Sequence, residues 1–301
     1  MEATVIVLLS TYNGEKYLQG QLDSLYKQKY TNFNAIVRDD KSTDNSLKIL
    51  KAHNIEVMPK GKNLGPKGSF SALLDYILKS DSNYFMFCDQ DDIWQVDKIE
   101  KTLKKMKELE NEFGNIPLLV HTDLEVVDED MKTIDKSFWH FEQISPSINE
   151  FNRLLMQNTI TGCTVMINRK LAELAMPIPT DVIMHDWWLG LVASKFGKID
   201  YVDEALIKYR QHAQNSIGAN GFGIDYIINK IFTAMNLMPH QKQAKVFLEI
   251  YRESLDDETI EMLEEFSNLE SKSFWQKRKI LLKYKILKQG FIRNVGLLLK
   301  I

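Results

Sequence analysis

The feature that most constrains this chain is an alternation in its first ninety residues, where short apolar β runs take turns with helical stretches. Residues 4–9 (TVIVLL) form an almost unbroken apolar run, the pattern of a strand buried on both faces. Behind Gly14, the residues Tyr17, Leu18, Leu22, Leu25 and Tyr26 recur at helical spacing. Residues 33–38 read as a second strand, 46–50 as part of a helix and 55–58 as a third strand. Residues 70–78 follow as a helix and 84–88 as a fourth strand. Such alternation implies right-handed βαβ units, hence an α/β fold with a mostly parallel sheet flanked by helices.

Beyond Trp94 the regularity loosens. A polar-faced helix ends near Glu112, residues 118–131 look β-rich but irregular, and 162–168 read as another strand. Residues 183–196 read as a helix and 199–209 as extended, while 133–147 carry no legible periodicity. Three glycines within 218–223 suggest a hinge, after which the pattern is helical to the end. The expected organisation is a Rossmann-like domain over 1–220 and a helical region over 221–301, within the size range of one large domain plus an appendage.

Charge is divided unevenly. Residues 271–301 hold nine Lys and Arg and no Asp or Glu, so a chain of net charge −3 leaves −12 on residues 1–270. An acidic body would be repelled by phosphate backbones, which argues against a nucleic-acid partner. Two cysteines, Cys88 and Cys163, exclude a disulfide framework and suit a reducing, cytoplasmic compartment. The run from Val5 to Leu9 is too short for a leader segment or a membrane span. The basic tail interleaves cations with Phe274, Trp275, Ile280, Leu281, Phe291, Ile292 and Leu297–Leu299. It either lies on an anionic membrane surface or packs its apolar side chains on the body, and the sequence leaves both open.

In open parallel α/β sheets, ligands bind where strands end. Strand two ends in Asp39-Asp40 and strand four in Asp89-Gln90-Asp91-Asp92. On an extended chain, Asp89 and Asp91 point the same way. With no His or Cys beside them in the turn itself, they make a hard-oxygen site suited to Mg²⁺ or Mn²⁺. The simpler reading is that Asp92 caps the next helix and the others are solvated.

Taken in order and spacing, VIVLLSTYNGEKYL, IVRDDKSTDNS, NLGPKGSF, YFMFCDQDDIW and HDWW resemble a family 2 glycosyltransferase with the GT-A fold, over residues 4–216. The DQDDIW form is similar to the branch rich in bacterial rhamnosyltransferases and related polysaccharide enzymes. The resemblance implies that Asp39 and Asp40 hold the nucleoside, whose pyrimidine N3–H and ribose hydroxyls donate to carboxylates. It implies that Thr11 and Tyr12 wrap the base, and that Asp89 and Asp91 hold Mg²⁺ or Mn²⁺ on the diphosphate. Asp186, in HDWW, falls where the family places its general base, with His185 in place of the usual acidic neighbour. Gly162, Trp187 and Trp188 fall on the acceptor side. Adjacent helical positions differ by about 100°, so at most one of the two tryptophans faces the acceptor. Arg210, His212 and Ser216 match a basic segment that closes over the donor diphosphate. Plainer alternatives stand beside these: Tyr12 and His212 as packing residues, and Asp39, Asp40 and Asp44 as charges favouring the next helix's N-terminus. Lys67 is a weaker candidate for phosphate contact.

The implied reaction moves a sugar from a UDP- or dTDP-linked donor to a hydroxyl of a glycan or lipid-linked glycan, inverting the anomeric centre. The branch similarity points to rhamnose, and the setting is cell-surface polysaccharide synthesis at the cytoplasmic face of a membrane. Two rivals differ in kind. A sugar nucleotidyltransferase would carry a glycine- and basic-rich loop where TYNG stands, and a non-catalytic scaffold would have no use for Asp40, Asp89, Asp91 and Asp186 together.

Overall fold

Alternation along β1 (Val5–Thr11) assigns its two faces to two cores. Val5, Val7 and Leu9 belong to one apolar cluster, Ile6 and Leu8 to the other. The computed structural model describes residues 4–59, 61–212 and 236–301. Ser216, the glycines of 218–223 and the boundary expected at residue 220 lie outside them.

β2 (Phe33–Asp39) and β4 (Tyr84–Cys88) flank β1 in parallel, and β3 (Glu56–Val57) extends the sheet beyond β2. β4 repeats the two-faced pattern, sending Tyr84, Met86 and Cys88 to one cluster and Phe85 and Phe87 to the other. Each such side chain contributes about 1.5–3 kcal/mol by leaving water. On the first face lie α1 (Leu18–Tyr26), α2 (Ser46–Ala52) and α4 (Lys98–Phe113), burying Leu22, Leu50 and Met106. On the second lie α3 (Gly65–Ile77) and α8 (His185–Phe196), burying Phe70, Leu74 and Leu189.

β5 (Ile93–Trp94), β6 (Leu118–Val127), β7 (Thr133–Asp135), β8 (Met166–Asn168) and β9 (Lys198–Arg210) complete the sheet. Its order is β3-β2-β1-β4-β8-β6-β9-β5, with β7 on β6. β8 runs antiparallel to both β4 and β6, while β6 and β9 pair in parallel. The stretch expected to be irregular is therefore the regular strand β6. Its buried polar residues His121, Thr122 and Asp123 hide the apolar alternation, and bulges against β9 absorb the register shifts. The strand expected over 162–168 shrinks to β8, preceded by a 3₁₀ turn over Gly162–Thr164. Short helices α5 (Phe138–Phe141) and α6 (Phe151–Leu154) and helix α7 (Arg169–Ala175) fill the connections.

Among the described residues four α-helices follow: α9 (Met238–Tyr251), α10 (Asp257–Ser267), α11 (Phe274–Lys283) and α12 (Phe291–Lys300). Phe247, Tyr251, Phe266, Leu281 and Leu297 join the cluster of Phe70 and Trp188, so one apolar core runs through both parts. The tail is also tied by hydrogen bonds to residues 142–157. Asn152 Nδ2 donates to Tyr284 O (2.8 Å), Arg153 Nη2 to Lys288 O (2.7 Å) and Arg293 Nη1 to Gln143 O (2.9 Å). No helix among the described residues is long and apolar enough to cross a membrane.

Candidate active site

The chain moves to one side of β1 for β2 and β3, then returns to the other side for β4, so the switch point lies at the ends of β1 and β4. The register pairs Thr11 with Asp39 and Leu9 with Cys88, bringing three turns to one edge. Gln90 joins two of them. Its Oε1 accepts from Thr11 Oγ1 (2.7 Å) and Tyr12 N (2.8 Å), and its Nε2 donates to Tyr12 O (3.2 Å). A Cβ on Gly14 would stand 2.3 Å from Gln90 Oε1, so glycine there leaves room for the bridge. Thr11 is thus buried in a clamp, while the Tyr12 side chain is exposed at the cavity rim.

Asp39 and Asp40 have different roles. Asp40 is buried, ion-paired with Arg38, and accepts from Leu64 N (2.8 Å) and Gly65 N (2.7 Å) at the start of α3. Asp39 Oδ2 accepts from Lys41 N (3.1 Å) and Ser42 N (3.0 Å), leaving Oδ1 buried and without a partner. Of the pair it is Asp40 that lines the cavity, and Asp39 does not. Asp44 accepts from Ser46 N and Glu15 N, as its place before α2 implies. Lys67 donates to the carbonyls of Thr180 (2.5 Å) and Val182 (2.6 Å), so it ties the segment before α8 to α3 and is not turned to a phosphate.

The acidic turn is more deeply built than its sequence suggested. Asp92 is not a helix cap; that position before α4 belongs to Asp97, and Asp92 is buried with Oδ2 unpartnered. Oxygens of Asp89 and Asp92 and the Cys163 Sγ lie within 4.8 Å of one another. Burial, reinforced by Asp91 and Asp186, pushes Asp89 up to about 7. Burial, then Asp91 and Asp89, raises Asp92 well above the usual carboxylate range. Beneath them Lys98 is fully buried, its Nζ 3.8 Å from the Trp94 ring centre, and burial lowers it to about 8. Burial also holds the Cys163 thiol protonated, which unsuits it for a hard cation.

Asp91 faces the basic segment instead. His212 Nε2 lies 2.8 Å from Asp91 Oδ2, and Arg210 Nε donates to Asp91 O (3.0 Å). Tyr17 holds both from the other side, stacked on the His212 ring at 4.7 Å and under the Arg210 guanidinium at 4.6 Å. The residues fit a divalent cation by their chemistry: Asp89 and Asp91 offer hard oxygens and Asp92 Oδ2 stands unpartnered. The oxygens that converge are those of Asp89 and Asp92, while Asp91 Oδ2 is engaged by His212.

Across the cavity, Asp186 sits in the first turn of α8, where backbone N–H groups favour a carboxylate. Its Oδ1 accepts from Trp187 N (2.8 Å) and its Oδ2 from Asn158 Nδ2 (3.3 Å). Burial outweighs these bonds and raises it to about 6. Gly162 passes close by, since a Cβ there would lie 3.0 Å from His185 Nε2. The His185 ring is packed on Phe70 and Phe87, with both nitrogens lacking partners, and burial lowers it to about 3. Trp187 lines the cavity, its Nε1 bonded to Leu154 O (2.6 Å) and its ring edge-on to His240. Trp188 does not reach the acceptor side. It is fully buried, donates to Ala175 O (3.0 Å) and stacks on Tyr251.

One cavity of about 710 Å³ is walled by Tyr12, Asp40, Asp89, Asp91, Gly162, Asp186 and Trp187 among others, whereas Thr11, Asp39, Trp188, Arg210 and His212 do not line it. Sequence reading missed Gln90, Asn158 and the wall given by His240, Lys288 and Arg293. Gln90 stood within the quoted DQDD motif and could have been found there, whereas the others depend on contacts between distant segments.

The profile described as Glycosyl transferase family 2 matches residues 6–173, more than half of the chain. The chain is 28% identical over 227 residues to dTDP-rhamnosyl transferase RfbG of Shigella flexneri, covering 70% of this chain and 74% of that one. It is 30% identical to the putative teichuronic acid biosynthesis glycosyltransferase TuaG of Bacillus subtilis, covering 72% and 82%. It is 28% identical to the UDP-Glc:alpha-D-GlcNAc-diphosphoundecaprenol beta-1,3-glucosyltransferase WfgD of Escherichia coli, covering 72% and 81%. Among solved structures, S. aureus TarS 1-349 in complex with UDP-GlcNAc superposes with a TM-score of 0.53 at 18% identity, over 93% of this chain and 80% of that one. Mannosyltransferase PcManGT from Pyrobaculum calidifontis, in complex with GDP-Man and Mn²⁺, gives 0.50 at 14% identity, over 98% and 78%. These two share the fold. The sheet is that of the GT-A enzymes, and the chain belongs to glycosyltransferase family 2.

Proposed function

We propose that this enzyme transfers a sugar from a UDP- or dTDP-linked donor to a hydroxyl of a glycan or lipid-linked glycan, inverting the anomeric centre, in cell-surface polysaccharide synthesis. The observation that carries this reading is Asp186, raised to about 6 and set across one cavity from the Asp89-to-Asp92 turn. A carboxyl group near 6 is ionised at neutral pH yet basic enough to receive a proton from an attacking hydroxyl. Rhamnose is supported by the RfbG likeness, and a lipid diphosphate acceptor by the WfgD likeness.

In this reading the Asp39–Asp40 turn receives the nucleoside, and the Gln90 bridge fixes the Thr11–Tyr12 turn beside it. Asp89 and Asp91 hold Mg²⁺ or Mn²⁺, which supplies charge neutralisation for the departing diphosphate. Arg210 and His212, both held on Asp91, supply donors for the diphosphate in this reading. Asp186 takes the acceptor's proton at its carboxylate while Asn158 keeps that carboxylate turned to the cavity. One catalytic carboxylate suits single displacement; Cys163, buried and protonated, has no nucleophilic role.

The test is a titration of UDP-GlcNAc, UDP-glucose and dTDP-rhamnose with Mn²⁺, followed by donor turnover. The expected result is metal-dependent binding that Asp91→Asn abolishes and Asp186→Asn retains. Binding and turnover undisturbed by EDTA and by Asp91→Asn would overturn it.

A further inference from the structure

We infer that the C-terminal region docks on an anionic lipid surface through the outward face of α12, beside the acceptor end of the cavity. The fold uses this helix inside out. Its four most exposed residues are Phe291 (83% exposed), Ile292, Val295 and Leu299 (74%), all large and apolar. At about 100° per residue they fall within one arc roughly 100° wide. The opposite face carries Arg293 and Leu297, both buried. Arg293 donates to the carbonyls of Gln143 and Glu142, so the cation faces the protein and the hydrocarbon faces out. A solvated helix of a globular domain has the reverse arrangement.

The neighbouring helix continues the pattern. α11 buries Ile280 and Leu281 against the core and exposes Phe274, Trp275 (76%) and Leu282. An outward tryptophan next to lysines suits the boundary between headgroups and acyl chains. Packing on the body therefore accounts for one face of the tail and leaves the other apolar.

Charge decides which partner fits. Residues 271–301 carry nine cations and no carboxylate. An anionic bilayer complements both the apolar arc and the net positive charge of the tail, at about fivefold in partitioning for each basic residue near the surface, a count from which the buried Arg293 is excluded. A symmetric pair of chains joined through α12 would set one basic tail against another.

Position gives the surface its use. Lys288 and Arg293 line the cavity, along with His240 and Gln157, so the elements that carry the apolar face also wall the acceptor end. An acceptor anchored in that bilayer reaches Asp186 from the docked side. This link to the acceptor rests on the function proposed above, whereas docking itself does not.

The test uses the full chain with vesicles of phosphatidylcholine alone and vesicles with one third phosphatidylglycerol. The expected result is co-sedimentation with the anionic vesicles at low salt, release at high salt, and a blue shift of tryptophan fluorescence that Trp275→Phe removes. Phe291→Ser/Leu299→Ser should lower partitioning at least tenfold. Both positions are exposed, so its melting temperature and its affinity for UDP or dTDP should match the parent. Lys277→Glu/Lys279→Glu, which leaves the apolar arc intact, should weaken binding to anionic vesicles selectively. Equal partitioning of parent and Phe291→Ser/Leu299→Ser would overturn the inference. So would a stable dimer in solution that the serine variant dissociates, with no vesicle binding by the parent. Absence of nucleotide binding, with vesicle binding intact, would instead count against the proposed function.

Discussion

The half of the cavity proposed for the donor and the half proposed for the acceptor are built in opposite ways. The donor half rests on turns after β1, β2 and β4, each within a few residues of a strand that the sheet holds rigid. Its polar groups are interlocked: Gln90 to Thr11 and Tyr12, Asp40 to Arg38 and α3, Arg210 and His212 to Asp91. The acceptor half is assembled from residues 142–162, the start of α8, and side chains from α9 and the tail. Both halves retain buried polar atoms without hydrogen-bond partners, Asp39 Oδ1 and Asp92 Oδ2 on one side and both His185 nitrogens on the other. The contrast suggests that one half is a preorganised holder for a constant chemical unit. The other is a wall whose distant segments can vary without disturbing the metal-side turn.

Asp186→Asn tests that contrast most severely. Transfer should fall roughly 10²–10⁴-fold while bare nucleotide affinity is unchanged, read by single-turnover rates and calorimetry. The same variant should gain stability at pH 7 to 8. With a folded value near 6 and an unfolded one near 3.8, the folded state binds more protons between those values, so rising pH costs stability there. Removing the buried charge should recover about 1–3 kcal/mol, measured by denaturant melts. In the parent, turnover at limiting substrate should rise tenfold per pH unit below about 6 and level off above it. A flat profile from pH 5 to 8 would dismiss Asp186 as base.

Next in size is the tryptophan pair. Trp188→Ala should cost about 3–5 kcal/mol of folding stability, because it empties a fully buried site against Phe247 and Tyr251. Trp187→Ala should cost less stability and act on the acceptor KM. Equal melting losses for the two would remove the distinction between core and cavity tryptophan.

On the donor side, Gln90→Ala and Gly14→Ala should each weaken nucleotide binding about tenfold, since both break the Gln90 bridge. The double variant should be little worse than either, the sign of a shared interaction. The smallest effect belongs to Asn158→Leu. Asn158 hydrogen-bonds the ionised form of Asp186, so its removal should move the acid limb of the pH profile upward by a few tenths of a unit. The plateau rate above pH 8 should change little.

Legibility followed the same division. Periodicity located β1, β2, β4, α1 and α3 to within a few residues, because each is an unbroken period over its length. Polar residues buried in β6 concealed that strand, and nothing local in 133–147 announced β7 or α5. Asp89, Asp91 and Asp186 were legible from motif and spacing. That Asp92 is no helix cap could not be read locally, because its burial depends on β9 and Cys163 closing over it.

The sequence by itself determined the parallel α/β order, the acidic strand ends, the family resemblance and the division of charge between body and tail. Those are written in local periodicity and residue type, which need no distant partner. Only the tertiary structure decided which of two adjacent aspartates keeps a free acceptor atom, which tryptophan is core, and which face of the tail stays outside. Each depends on what packs against a side chain from far along the chain. Two residues of identical type and neighbouring number can then end in different surroundings: Asp40 anchors the start of α3, while Asp39 keeps one buried carboxylate oxygen without a partner.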